Sequence, residues 1–170
     1  MKAKAPARKS CTPEALHALD AFHREVRIRL EELLSLVGAL HMHAPPDESV
    51  KVRLREVIAF FNGPVRDHNY EEERYVFPGL RSSGDGQVSA AAETLCEDHA
   101  WIEISWLDME PWLAMAANGF FSDDLPTLRS TAQTFAAVLR DHMDLEESLL
   151  YPQLRGHWRA LSPQSRSRRD

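Results

Sequence analysis

The sequence predicts an all-α domain, an up-down-up-down four-helix bundle, on three observations. Apolar residues recur at alternating steps of three and four along four successive stretches. The breaks between those stretches are short and built from Pro, Gly, Asn, Asp and Ser. No stretch alternates with the period of two that marks a strand. Four amphipathic helices joined by short turns pack each antiparallel to the one before it.

The first stripe starts at the Thr12-Pro13 cap signal and runs through Leu16, Leu19, Val26, Leu30, Leu33, Val37 and Leu40, with His23 counted as a member. Ala44-Pro45-Pro46-Asp47 breaks it. A second stripe passes through Val50, Leu54, Val57, Phe61 and Val65 to His68, Glu72 and Tyr75, and Gly63-Pro64 predicts a kink on the way. After the turn at residues 82–86 comes a third stripe of Val88, Ala92, Leu95, His99, Ile102, Trp106, Met109 and Leu113. Pro111 predicts a second kink there, and Asn118-Gly119 the end of the helix. The fourth stripe is Leu125, Leu128, Ala132, Phe135, Leu139, His142, Glu146 and Leu149, with Ser122-Asp123 as its N-cap. Residues 12–157 then form one bundle, with 1–11 and 158–170 as flexible tails, the second of them basic.

A chain of 170 residues that is 44% hydrophobic is long enough for one full core. A net charge of −6 and a pI near 5.7 argue against a nucleic-acid partner, although Lys2, Lys4, Arg8 and Lys9 at one end and Arg166, Arg168 and Arg169 at the other are locally basic. No apolar run approaches the ~18 residues needed to cross a bilayer, and no apolar segment follows the basic N-terminus, so no membrane partner is expected. Cys11 and Cys96 make no disulfide framework, which suits a reducing compartment; the expectation is a cytoplasmic protein. Trp101, Trp112 and Phe120-Phe121 leave a homodimer open, though core or loop packing is the ordinary expectation for such residues.

The chemistry lies in a repeated pattern, H-x-x-x-E-E-x-x-x-[F/Y]-P, read as HNYEEERYVFP from 68 to 78 and HMDLEESLLYP from 142 to 152. On a helix, i and i+4 share a face, so His68 stands beside Glu72 and His142 beside Glu146. His23 and His99 lie early in the first and third helices, and His68 and His142 late in the second and fourth. Antiparallel packing therefore brings all four imidazoles to one layer. The spacing between His23 and His68 nearly matches that between His99 and His142, as a duplicated helical hairpin would give. His23, His68, Glu72, His99, His142 and Glu146 thus fall at positions that the apolar period assigns to the interior. Burying an unpaired carboxylate costs several kcal/mol, and a cation that neutralises both glutamates removes that cost. Four imidazoles and two carboxylates suit iron, manganese or zinc better than calcium or magnesium, and six ligands exceed one tetrahedral zinc. Two metals bridged by Glu72 and Glu146 fit best. A polar core network is the bland alternative.

Glu73 and Glu147 lie about 100° off the stripe, as solvated or supporting groups. Glu103, four residues after His99, is an open candidate for the same cavity. His17, His41, His43 and His157 lie off the layer or in connections and tails. Phe77-Pro78 and Tyr151-Pro152 close the second and fourth helices just past the site, where their rings either wall the metal end or simply fill core.

On these residues the chain resembles the hemerythrin-like HHE cation-binding family, whose elements occur in order here as His23, His68-Glu72, Asp98-His99 and His142-Glu146, from about residue 12 to 157. The resemblance implies a non-haem di-iron centre, two iron ions open to an oxo or hydroxo bridge. It also implies a small diatomic ligand or peroxide as the molecule met there. Oxygen-carrying hemerythrins typically have a fifth histidine four residues after the third-helix ligand and an aspartate bridge; Glu103 and Glu146 stand in those places, which points away from reversible oxygen carriage. The four-histidine, two-glutamate set is similar to the di-iron proteins that repair damaged iron-sulfur clusters and meet nitric oxide or peroxide. Those usually carry an additional N-terminal cysteine-containing domain, for which the segment before the first helix leaves no room. The expected function is binding, sensing or scavenging of oxygen, nitric oxide or peroxide, or handling of iron, under oxidative or nitrosative stress. A redox enzyme relaying electrons through Tyr75 or Trp106, or an iron-sulfur cluster repair di-iron protein, is the alternative. The E-x-x-H pairs of a ferritin-like oxidase are missing but for Glu14 to His17, and no H-E-x-x-H is present.

Overall fold

The computed structural model of the chain describes residues 13–120 and 124–153, with side chains from His17 onward. Among them, four helical rods follow one another. The first is α1, Pro13–Ala39. The second is composite, with α2 (Glu48–Phe60), α3 (Arg66–Glu71) and α4 (Phe77–Arg81) joined through π turns at Phe61–Val65 and Glu72–Val76. The third is α5, Gly86–Ala117, and the fourth is α6, Leu125–Leu145, continued by a π turn at Glu146–Leu150. Each rod packs on its sequence neighbours and the first also on the fourth, which closes the four-helix bundle.

Local chemistry sets the rod ends. The Asp85 carboxylate accepts from the amides of Gln87 and Val88 and starts α5, and Asn118 with Gly119 at φ 86° ends it. The fourth rod is capped by Asp124, whose carboxylate accepts from Thr127 N–H, rather than by Ser122-Asp123, which lie outside the described residues with Thr12. Pro64 sits inside the first π turn, so the break expected at Gly63-Pro64 takes the form of a widened turn that absorbs the missing N–H. Pro111, by contrast, does not interrupt α5.

The polar layer divides the core. On one side a large cluster includes Leu30, Leu33, Leu54, Val57, Phe61, Trp106, Met109, Leu113, Phe135 and Leu139 from all four rods. On the other lies a small one of Phe77, Leu80, Val88, Ala91, Ala92, Leu95 and Leu150. Three expectations need correction. Tyr75 is exposed, because the π turn at Glu72–Val76 adds a residue and rotates Phe77 into the interior instead; the π turn at Glu146–Leu150 likewise buries Leu150 and Tyr151 more deeply than Leu149. Trp101 (64% exposed) and Trp112 (44%) lie on the outer face of α5, away from the stripe of Leu95, Ile102, Trp106 and Leu113, and Phe120 in the following turn is also exposed. Phe121 and the two tails lie outside the described residues, as do Cys11 and His157.

Candidate metal centre

Six side chains from the four rods meet between the two cores. His23 comes from α1, His68 from α3, His99 from α5 and His142 from α6, while Glu72 and Glu146 each begin a π turn. Five of them are buried, and His68 is nearly so.

The four imidazoles turn their Nε2 atoms inward. His23 Nε2 lies 3.3 Å from His68 Nε2, and His99 Nε2 lies 3.1 Å from His142 Nε2. The carboxylates stand between the pairs: Glu146 Oε2 is 3.2 Å from His23 Nε2 and Oε1 is 3.5 Å from His142 Nε2, while Glu72 Oε2 is 3.3 Å from His68 Nε2 and 3.7 Å from His99 Nε2. Two overlapping sets of four result, His23, His68, Glu72 and Glu146, and Glu72, His99, His142 and Glu146. Within each set the potential ligand atoms all lie within 4.8 Å of one another, and both glutamates belong to both sets.

The outer nitrogens are held from outside the layer. His23 Nδ1 donates to Glu147 Oε1 at 2.9 Å, and Glu147 is gripped by Arg27 through contacts of 2.8 and 3.2 Å. His99 Nδ1 donates to Glu73 Oε1, also at 2.9 Å. The second glutamate of each E-E pair therefore reaches across to a histidine on a neighbouring rod, which fixes the tautomer that points the lone pair of Nε2 inward. Asp98 Oδ2 stands 3.7 Å from His142 Nδ1, beyond hydrogen-bond reach. Two rings wall the layer: Phe77 stacks on His99 at 5.5 Å between centroids, and Tyr151 stacks on His23 at the same distance with its hydroxyl 3.1 Å from Nε2. The doubled glutamates, open in the sequence between solvated and supporting roles, are supports, and the F/Y-P rings, open between walling the site and filling core, lie against its histidines.

Electrostatics favour a cation here. Burial pushes His68 down to about 3 and His142 down to about 4, against the attraction of Glu146, so both are neutral lone-pair donors near pH 7. Burial, and then the charge of Glu146, holds Glu72 well above the carboxylate range. Burial acts upward on Glu146 as well, but the imidazole of His23, 3.2 Å from Oε2, and then the field of His142 bring it below its ordinary value. Glu72 Oε2, both oxygens of Glu146 and His142 Nδ1 are buried with no hydrogen-bond partner. Orphaned carboxylate oxygens beside neutral imidazoles are what a structural network would avoid and what a bound cation satisfies.

Other polar groups fall elsewhere. Glu103 faces Arg66 at 2.6 Å in an ion pair on the flank and is not in the layer. Trp106 is core, its indole N–H donating to Asn62 Oδ1 at 2.7 Å. His17, His41 and His43 are exposed, and His43 adopts φ 63° in the connection after α1.

An antiparallel four-helix bundle with a buried layer of imidazoles and carboxylates at its core defines a class of cation-binding helical domains. The chain belongs to the hemerythrin HHE cation-binding domain family, whose model matches residues 14–154. No curated protein and no solved structure matches the chain. Among the described residues, no helix is long and apolar enough to cross a membrane.

Proposed function

We propose that His23, His68, Glu72, His99, His142 and Glu146 hold two iron ions, His23 and His68 on one, His99 and His142 on the other, with Glu72 and Glu146 shared. The observation that carries this reading is the pair of overlapping four-residue sets with three orphaned carboxylate oxygens between them. Manganese or zinc would suit the same donors, and the nitrogen-rich set favours any of the three over calcium or magnesium. When bound, iron supplies an open coordination position and a change of oxidation state for a small diatomic molecule or peroxide.

The protein's own residues do the rest. Glu147 and Glu73 fix the ring orientation of His23 and His99. Phe77, Tyr151 and the two apolar clusters exclude bulk water from the layer. The function this supports is the binding, sensing or scavenging of oxygen, nitric oxide or peroxide in the cytoplasm, or the handling of iron itself, under oxidative or nitrosative stress. Exposed Tyr75 offers no buried electron relay, and Trp106 is tied to Asn62, so an electron-relay enzyme has less support.

The test is elemental analysis with the near-ultraviolet spectrum of untagged protein produced aerobically with iron available. Two irons per chain with a charge-transfer band are expected. Absence of any bound metal would overturn the reading and make the layer structural.

A further inference from the structure

The duplicated segments 68–78 and 142–152 build two half-sites on the same plan. In each, the first glutamate begins a π turn, the second holds Nδ1 of a histidine on a neighbouring rod at 2.9 Å, and the tenth residue stacks its ring on that same histidine. Phe77 covers His99 at 5.5 Å and 28°, and Tyr151 covers His23 at 5.5 Å and 26°. The difference between those two walls is one hydroxyl.

That hydroxyl is buried, and a phenol O–H is a hydrogen-bond donor. Its acceptor is His23 Nε2 at 3.1 Å, since His23 Nδ1 already donates to Glu147. Nε2 is also the nitrogen facing the layer, and an ion bound there takes its lone pair. The hydroxyl then needs another acceptor, because an unsatisfied buried donor is costly. Phe77 gives the His99 side no such donor.

Resting on the two-ion reading above, we propose that Tyr151 makes the centre's halves inequivalent. Its hydroxyl donates a hydrogen bond to an anionic or oxygen-bearing molecule bound on the His23 and His68 side. Tyr151 is then the residue that discriminates between small ligands, favouring good hydrogen-bond acceptors such as azide or peroxide over the weak acceptor nitric oxide.

The experiment compares the metal-loaded full chain with Tyr151→Phe, which gives both halves the same wall. Metal content is measured first, then azide affinity on the oxidised protein and nitric oxide affinity on the reduced protein. Metal content should hold, azide binding should weaken about tenfold or more, and nitric oxide binding should stay within about twofold. Unchanged azide affinity would place the hydroxyl on Glu146 and overturn the proposal. Equal loss of both ligands, or loss of metal in the variant, would assign Tyr151 a packing role and overturn it too. A wild-type chain without metal would instead remove the two-ion reading on which the proposal rests.

Discussion

Replacing Glu72 by glutamine should change the stability of the protein in opposite directions with and without metal. Without metal, Glu72 is buried, one of its oxygens lacks a partner, and burial with the neighbouring Glu146 charge works against its ionised form. Glutamine keeps the shape and removes the charge. Relieving an unsatisfied buried group of this kind contributes about 1–3 kcal/mol. For a chain of this length that corresponds to a rise of roughly 3–10 °C in Tm. With metal, the wild type gains about 4 kcal/mol at a thousandfold excess of ion over Kd, and a variant without the shared carboxylate loses most of that gain. The order of the two melting temperatures should therefore invert on adding a chelator. The pH dependence has a defined sign. A carboxyl raised in the folded state contributes stability below its unfolded value of about 4.3, and that stability is lost as pH rises through the folded value. The metal-free advantage of Glu72→Gln should thus vanish near pH 4 and grow as pH rises above it. Circular-dichroism melts of both proteins, chelated and metal-loaded, read all of this. A chelated variant less stable than chelated wild type at pH 8 would refute the reasoning, since it would mean that the carboxylate makes native contacts of its own.

Glu72→Ala and Glu146→Ala should each abolish loading of two ions, whereas Glu147→Ala should keep the stoichiometry at saturating metal and weaken affinity about 10- to 100-fold by releasing His23 Nδ1; equal loading and affinity in all three variants, followed by metal titration, would sink the division of roles. In the chelated Glu72→Gln background, where the opposing carboxyl is silent, His68 and His142 set the acid limit. Unfolded histidines take up protons near pH 6.5, but the folded ones resist to about 3 and about 4. Stability should accordingly be full above pH 6.5 and fall as pH is lowered toward 4, and a urea midpoint that stays flat between pH 7 and 5 would contradict it.

The four rods and the order of the six polar residues were legible because amphipathic period and antiparallel topology together determine which residues share a layer. His23 and His99 carry no local motif, and only their phase within the apolar stripes reveals them. What periodicity could not supply lies just past each glutamate. An ideal helix places Tyr75 and Leu149 inward, but the π turns advance the register by one residue and put Phe77, Leu150 and Tyr151 there. A π turn weakens local hydrogen bonding, and its compensation is tertiary, here the rings stacked on His99 and His23. Glu73 and Glu147 are legible only as solvated or supporting groups, because the histidines that they support stand on neighbouring rods, at distances that no single-helix projection contains. Trp101 and Trp112 show the remaining weakness of composition, since large apolar side chains do occur on surfaces and only position relative to the buried stripe tells which.

The division of the core by the polar layer gives the bundle two unequal resistances to opening. The larger cluster draws on all four rods, whereas the smaller one, among the described residues, draws on the second, third and fourth and receives nothing from α1. Free energies of local unfolding follow the apolar surface that each region buries, so the end carrying Phe77, Leu95 and Leu150 breathes first. Amide hydrogens there are expected to exchange with solvent sooner than those around Leu33, Met109 and Phe135, which hydrogen exchange would read directly. An ion thereby has a way into and out of a buried site that does not require the whole chain to unfold.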